Sequence, residues 1–252
     1  MNYSYHLKNN IDSFKEDPKT STIFGTMLAF PDTIIWELIY NSLYNKSDLP
    51  ENVGKLKYYE FWPHWDHKGT SNTIYVEPDL FLSFEHLDII IEAKRHDKGG
   101  QNYKEWDNEL RAYHNEYTTS TRPPILLAIG GLDDTQNEVR EIEDFGKHHV
   151  YKCSWLQILI NVYTMKEHLL SKQEHNLVRL CDTLILGFNM HNEQYFKWMD
   201  SMPFASISLH SICAIQKFFE NIHSQPNQFE QISCNKIQDN SLQIINSFFN
   251  GK

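Results

Sequence analysis

The sequence is short of positive charge relative to its acids: 23 Lys and Arg stand against 33 Asp and Glu, a formal net charge of −10. Nonspecific coating of nucleic acid depends on Lys and Arg neutralising phosphates, so this balance counts against that class of function while leaving room for a local basic groove. Cysteine is scarce as well. The four, Cys153, Cys181, Cys213 and Cys234, lie far apart with neither a CxxC pair nor zinc spacing. No disulfide framework is implied, and reduced thiols in a cytoplasmic protein are the expectation. Long apolar runs are missing too. The N-terminus, MNYSYHLKNNIDSFKEDPKT, has no apolar signal segment, and the longest apolar stretch, WLQILINVY, is broken by Gln157 and Asn161 and is too short to span a bilayer. Neither secretion nor membrane insertion is expected, and no internal repeat or low-complexity tract stands out.

What is present suits one generous core: 252 residues, 40% hydrophobic, with 13 Tyr, 15 Phe and 6 Trp, enough to bury a core without disulfide or metal staples. FPDTIIWELIYNSLY reads as a helix, with Pro31 and Asp32 suited to its first turn and Ile35, Leu38, Ile39 and Leu43 forming an apolar stripe. KLKYYEFWPHW reads as an aromatic strand, followed by the turn region DHKGTSN. Strands over roughly 73–83 and 87–94 form a hairpin, closed by Gly99 and Gly100. QNYKEWDNELRAYHNEY is an amphipathic helix with Tyr103, Trp106, Leu110 and Tyr113 at helical spacing. PPILLAIGG is an apolar strand suited to burial on both faces of a mixed sheet. DTQNEVREIEDFGK reads as a polar helix and HHVYKCSW as a short strand. From Trp155 onward only helices are expected: WLQILINVYTMKEHLL, QEHNLVRLCDTLILGF, SISLHSICAIQKFFENI and DNSLQIINSFF, with a loop near 223–231. The element order is that of an α/β protein, with a core over 1–165 and a helical C-terminal extension over 166–252.

The chemistry concentrates in YVEPDLFLSFEHLDIIIEAKRHDKGGQ, residues 75–101. Strand alternation puts Asp88, Ile90, Glu92 and Lys94 on one face and Ile89, Ile91 and Ala93 on the other. In the preceding strand Glu77, Asp79 and Phe81 share a face, opposite Val76, Pro78, Leu80 and Leu82. A hairpin turning near Glu85 and His86 sets Asp79 opposite Glu92 or one diagonal step away, whereas a slip of one residue would put the two carboxylates on different faces. Two carboxylates brought together repel unless a cation lies between them, and a hard oxygen site of that kind suits Mg²⁺ or Mn²⁺. A neighbouring lysine can hold a phosphate oxygen or orient water.

Pro78-Asp79, the thirteen-residue step to Glu92 and the run Glu92-Ala93-Lys94 resemble the PD-(D/E)xK nuclease superfamily, over roughly residues 30–160. The resemblance implies a three-layer α/β/α sandwich with a central mixed sheet, the restriction-endonuclease-like fold. It also implies a metal-dependent phosphodiesterase acting on nucleic acid, DNA ahead of RNA, in restriction, repair or antiphage defence. Asp79, Glu92 and the Ala93 carbonyl would bind Mg²⁺ or Mn²⁺ and Lys94 would assist the water. A further carboxylate from an N-terminal helix would be Glu37, and a glutamine opening the helix after the motif would be Gln101. With so acidic a chain, a partner protein that delivers substrate is a further expectation.

Plainer readings stand beside these. Asp79, Glu92 and Lys94 also suit a solvated outer face with a surface ion pair. Thr33, Glu37 and Asn41 suit a solvent face, and Gln101 after Gly-Gly suits a simple helix start. Glu109 reads as a surface partner for Arg111 or Lys104, and the basic residues over 94–111 as a solvated helix face. His64, Asp66 and His67 lack the remaining ligands of a zinc site; joined to the carboxylates, they would define a different metal hydrolase. A non-catalytic copy of the same fold, serving as a protein-interaction subunit, is the remaining alternative.

Overall fold

A computed structural model describes residues 16–195 apart from 121 and 123. The two helices expected in the tail, the loop near 223–231, Cys213 and Cys234 lie outside the described residues. The protein is α/β, built on one six-stranded mixed sheet. Helices α1 (Glu16–Met27) and α2 (Asp32–Ser42) precede strands β1 (Leu56–Phe61), β2 (Leu80–Phe84) and β3 (Asp88–Ala93). Helix α3 (Tyr103–Glu116) leads into β4 (Pro124–Ile129), β5 (Glu138–Ile142) and β6 (Gly146–Cys153), and α4 (Trp155–Ser171) and α5 (His175–Met190) follow. The spatial order is β1-β2-β3-β4-β6-β5. Strands β3, β4 and β6 run parallel to one another, and the pairings β1–β2, β2–β3 and β5–β6 are antiparallel.

Strands β2, β3 and β4 are buried along their whole length, because helices cover both faces of the sheet. On one face Leu80, Leu82, Ile89, Ile91 and Leu127 pack with α1, α2, α4 and α5 through side chains such as Phe24, Ile35, Leu159 and Phe188. On the other, Phe81, Ile90 and Leu126 pack under α3 through Trp106, Leu110 and Tyr113, together with Trp65 from the long β1–β2 connection. The strand alternation expected for Asp88–Lys94 therefore holds. Asp88, fully buried, lies beneath α3, where the Tyr113 hydroxyl donates to its Oδ2 at 2.6 Å and the Arg122 guanidinium pairs with Oδ1 at 3.2 Å. A buried carboxylate is tolerated only with partners of this kind.

The structure departs from the sequence expectations in three places. DTQNEVREIEDFGK holds no helix; its centre is the edge strand β5, joined to β6 by a turn in which Asp144 and Gly146 take positive φ. Its period-2 pattern was masked because two inward positions are polar: Glu138 accepts from Lys152 at 2.6 Å, and Arg140 forms two hydrogen bonds with Asp107 of α3. The strand expected over 73–83 begins only at Leu80. Before it the chain is held by an isolated bridge between Val76 and Trp65, so Val76 joins Phe81 in the α3-side cluster rather than lying opposite it. Helix α1 was not anticipated: its apolar residues, Ile23, Phe24 and Met27, cluster in its second half, leaving too short a stripe to read. Position 165, the expected end of the core, falls inside α4, and Leu169, Cys181 and Phe188 beyond it share the main core with the sheet.

The turn after β4 brings three segments together. Gly130, at φ +66°, lies so close to the chain after β3 that a Cβ there would stand 2.7 Å from both the Lys94 and His96 carbonyl oxygens. Both oxygens are already held: the Lys94 carbonyl accepts from the Trp155 indole at 2.6 Å and the His96 carbonyl from the Gly131 N–H at 2.5 Å. Gly130→Ala combines this clash with the left-handed backbone penalty. A loss of more than about 2 kcal/mol is expected, measured as a lower midpoint in urea at unchanged m-value.

Candidate active site

Asp79 stands immediately before β2, and Glu92 is the penultimate residue of β3. Leu80 pairs with Ile91, so one further step of the same register sets Asp79 opposite Glu92, as expected from the sequence. Both are buried, 7% and 6% exposed, and both line a recess of about 380 Å³ together with Glu16, Lys94, Glu105 and Glu109. The plain reading of these residues as a solvated face does not hold.

Asp79 is oriented by the groups around it. The Ala93 N–H donates to Asp79 Oδ2 at 2.9 Å, and the Trp62 indole donates to Oδ1 at 3.3 Å. Lys94 forms an ion pair with Glu92 and lies 3.1 Å from Glu105 and 3.9 Å from Glu16. Its backbone is fixed on both sides: the N–H donates to Ile129, and the carbonyl accepts from the Trp155 indole at 2.6 Å. Gly131 contributes by lacking a side chain, since a Cβ there would come within 2.8 Å of the Lys94 Cβ and Cγ.

Gln101 acts on the scaffold rather than in the recess. Its Nε2 donates to the Glu92 carbonyl at 3.2 Å and the Gly130 carbonyl at 3.1 Å, while Oε1 accepts from the Trp106 indole at 2.7 Å. The side-chain amide thereby ties the ends of β3 and β4 to α3, and it is not among the recess-lining side chains.

Glu37 is not brought to this site. Helix α2 packs Ile35, Trp36, Leu38 and Ile39 toward the sheet, which leaves Glu37 exposed on the cleft it shares with Asn41 and Asn161 of α4. The carboxylate that an N-terminal helix does deliver is Glu16, from the first turn of α1. Its Oε2 accepts from the Arg95 N–H at 3.0 Å, and the Arg95 carbonyl accepts from the buried Lys19 ammonium at 2.7 Å. The only trace of this in the sequence is Glu16-Asp17-Pro18, an acidic pair with a proline of the kind that opens helices.

Glu109 is the larger surprise. Expected at the surface, it is 3% exposed and meets the Glu92 carboxylate beneath α3. Arg111, one of its two expected partners, donates instead to the Glu143 carbonyl at 3.0 Å. The spacing of Glu105, Glu109, Trp106 and Tyr113 on one helix was the available signal, and the acidic character of the first two hid it. His64, Asp66 and His67 do not converge: His64 is 2.8 Å from Glu77 and stacks on Tyr75, and Asp66 accepts from the Lys68 N–H.

Electrostatically the recess is crowded with acid. Burial, and then the Glu92 and Glu16 charges, push the Asp79 carboxyl well above its usual range. Burial and Glu109 do the same to Glu92. Glu109 is raised to about 8, chiefly by burial. Burial alone would lower the Lys94 pKa, but Glu92, Glu16 and Glu105 outweigh it and the ammonium is held charged. Among the described residues no three His, Cys, Asp or Glu side chains are spaced as a ready cage for a metal ion; Lys94 supplies the neutralising charge at Glu92. Yet Glu109 Oε2 is buried with no donor to accept from. The same carboxyl is hydrogen-bonded to Glu92 on the side of its other oxygen, and the groups that face the recess are chiefly oxygen donors, the atom type a hard divalent cation takes.

The chain is 30% identical over 203 residues to the uncharacterized protein PM0110 of Pasteurella multocida (strain Pm70), a match covering 74% of each protein. It belongs to that protein's family. No family model matches the sequence. Among the described residues no helix is long and apolar enough to cross a membrane.

The protonated state of Glu109 links this site to stability. Because its pKa in the folded protein, about 8, lies above the ordinary 4.5, the native state holds a proton that the unfolded chain releases in the interval between those values. Stability from this group is complete below the lower value and lost as pH rises through the upper one. The metal-free protein is expected to lose several degrees of Tm between pH 6 and pH 9. Glu109→Gln, which has no proton to lose, is expected to flatten that slope in thermal melts across the same range.

Proposed function

We propose that the protein is a metal-dependent nuclease of the PD-(D/E)xK type, its sheet and helices forming the three-layer restriction-endonuclease-like sandwich. The observation that carries this reading is the pairing of Asp79 and Glu92, two buried carboxylates on adjoining strand ends that line one recess together with Lys94. A structural ion pair has no need of a second buried acid or of a recess, and both cost stability unless something is bound there.

In this reading Asp79, Glu92 and the Ala93 carbonyl hold Mg²⁺ or Mn²⁺, with Glu16 taking the place first expected for Glu37. Such an ion, when bound, supplies a nucleophilic water at neutral pH and neutralises charge on the phosphate and the departing oxygen. The chain's own residues do the rest. The two hydrogen bonds to Asp79 set the direction of its lone pairs before any ligand arrives. The Lys94 ammonium, kept charged by the surrounding acids, grips a phosphate oxygen or orients the attacking water. Gln101 is a positioning residue that fixes the end of β3 through the Glu92 carbonyl.

The rim suits a polynucleotide in its uncharged features. Asn72, Tyr75 and Asn108 border the recess, the Tyr75 ring stacks on His64 with centroids 3.8 Å apart, and Lys98 and Lys104 are exposed nearby in the chain. DNA is the preferred substrate by resemblance. The acidic balance of the chain favours delivery of that substrate by a partner protein.

The test is incubation of the purified protein with plasmid, linear and single-stranded DNA and with RNA, in Mg²⁺, in Mn²⁺ and in chelator. Metal-dependent cleavage that falls by about 100-fold or more in Asp79→Ala and in Lys94→Ala is expected. Equal activity in all three proteins, or none in the wild type on any substrate, overturns the reading.

A further inference from the structure

Away from the recess, helix α3 grips the β5–β6 hairpin along one stripe. Asp107, Arg111 and His114 stand four and then three residues apart in the chain, so they line the same side of the helix. Asp107 takes both hydrogen bonds from the Arg140 guanidinium of β5, at 2.8 and 2.7 Å. Arg111 donates to the Glu143 carbonyl in the turn, and its guanidinium lies 5.7 Å from the centre of the Phe145 ring. His114 completes the stripe. Its ring stacks on Phe145 with centroids 4.3 Å apart, and its Nε2 lies 3.1 Å from Nε2 of His148 on β6. None of these side chains lines the recess.

The histidine contact differs from the other two in depending on protonation. Two imidazoles share a hydrogen bond only when one nitrogen carries a proton and the other keeps its lone pair. A further proton removes the acceptor and sets two N–H groups face to face with positive charge between them. His148 is 6% exposed and His114 is partly buried, so water screens that charge poorly. The acids around the pair are committed or exposed. Asp107 of α3 holds Arg140 of β5, and the Glu143 carboxylate of the turn lies 3.8 Å from Arg111. Lys152 of β6 takes Asp134 and Glu138, and Asp88 of β3 takes Arg122 and Tyr113. Glu116, Glu141, Asp144 and Lys147 are exposed. His149, beside His148, adds repulsion when it is charged.

We propose that the His114–His148 contact is a pH-sensitive clasp, which fastens the β5–β6 turn to α3 while both rings are neutral and releases it when the pair takes up a proton. Burial, and then the neighbouring imidazole, lower the His114 pKa to about 4. Burial lowers that of His148 as well, against the pull of the Phe145 and Pro124 carbonyls. Both lie below the ordinary 6.5, so the released turn binds protons more readily than the fastened one. The clasp is therefore complete above that ordinary value and lost as pH falls toward the lower one. Arg111 and Arg140 stay charged throughout, which keeps α3 attached to the sheet and confines the opening to the turn and the start of β6.

The experiment follows the histidine ring resonances of the full-length protein by NMR as pH is lowered from about 8 to about 4.5. Amide hydrogen exchange over residues 143–149 is measured at neutral and at mildly acid pH, corrected for its intrinsic pH dependence. Wild type, His114→Gln and His148→Gln are compared. The glutamine amide at 114 donates to a neutral His148 or accepts from a charged one, and takes up no proton. In the wild type, the rings of His114 and His148 are expected to titrate at least about one pH unit below the ordinary histidine value. Protection of the turn is expected to fall by about tenfold or more on acidification, and His114→Gln to remove most of that fall. Ordinary titration of both rings, or turn protection that responds to pH equally in the wild type and in His114→Gln, overturns the proposal. Should the variants not fold, the wild-type titration decides alone, with the His114 ring identified by its nuclear Overhauser contacts to Phe145.

Discussion

The arrangement depends on one constraint: the antiparallel register of β2 and β3, which brings two carboxylates together at the end of a sheet buried on both faces. Register in a sheet is a matter of parity, and a slip of one residue would turn every side chain of a strand to the opposite face. Here the slip is blocked from both sides. Leu80, Leu82, Ile89 and Ile91 are committed to the helices of the larger core, and Phe81 and Ile90 to the cluster under α3. Asp79 and Glu92 are carried along with these apolar residues, and the repulsion between them is offset locally by the Ala93 N–H, the Trp62 indole and the Lys94 ammonium.

That offset relies on keeping the backbone after β3 in place. Lys94 and Arg95 are gripped by β4 through Ile129, by the start of α4 through Trp155, and by α1 through Glu16 and Lys19. Gly130 and Gly131 permit the approach because no side chain intervenes. Lys19 shows how far this goes. It is 1% exposed, donates to the Arg95 carbonyl and pairs with Glu193 at 2.6 Å, so the ammonium is held by two acceptors despite burial. Two helices and a strand from distant parts of the chain thus converge on two residues, and the precision a site needs comes from such supporting contacts.

The face under α3 is unusual in how many charged groups it encloses. Asp88, Lys152, Glu109 and Arg140 all lie against that helix or the strands below it, and most have matched partners. Each makes the sequence look more solvent-exposed than it is. The acidic composition acts in the same direction at the recess. A polyanionic substrate would meet net negative charge there, and the recess becomes receptive to phosphate only when further positive charge accompanies it.

How much of this was legible follows from which interactions are local. The α/β class, strands β1, β3, β4 and β6, helices α2, α3, α4 and α5, and the common face of Asp79, Glu92 and Lys94 follow from period and parity, which short stretches of chain express by themselves. What escaped was decided by contacts between distant segments. Strand β5 exists because its polar inward residues find Lys152 and Asp107, and Glu16 rather than Glu37 joins the site because α1 packs beside the end of β3. Glu109 is buried because α3 lies with that side against the sheet. A sequence determines which residues can share a face of their own helix or strand. Whether that face meets solvent, a core or another acid is set only when the elements pack, because burial is a property of the neighbours and not of the residue.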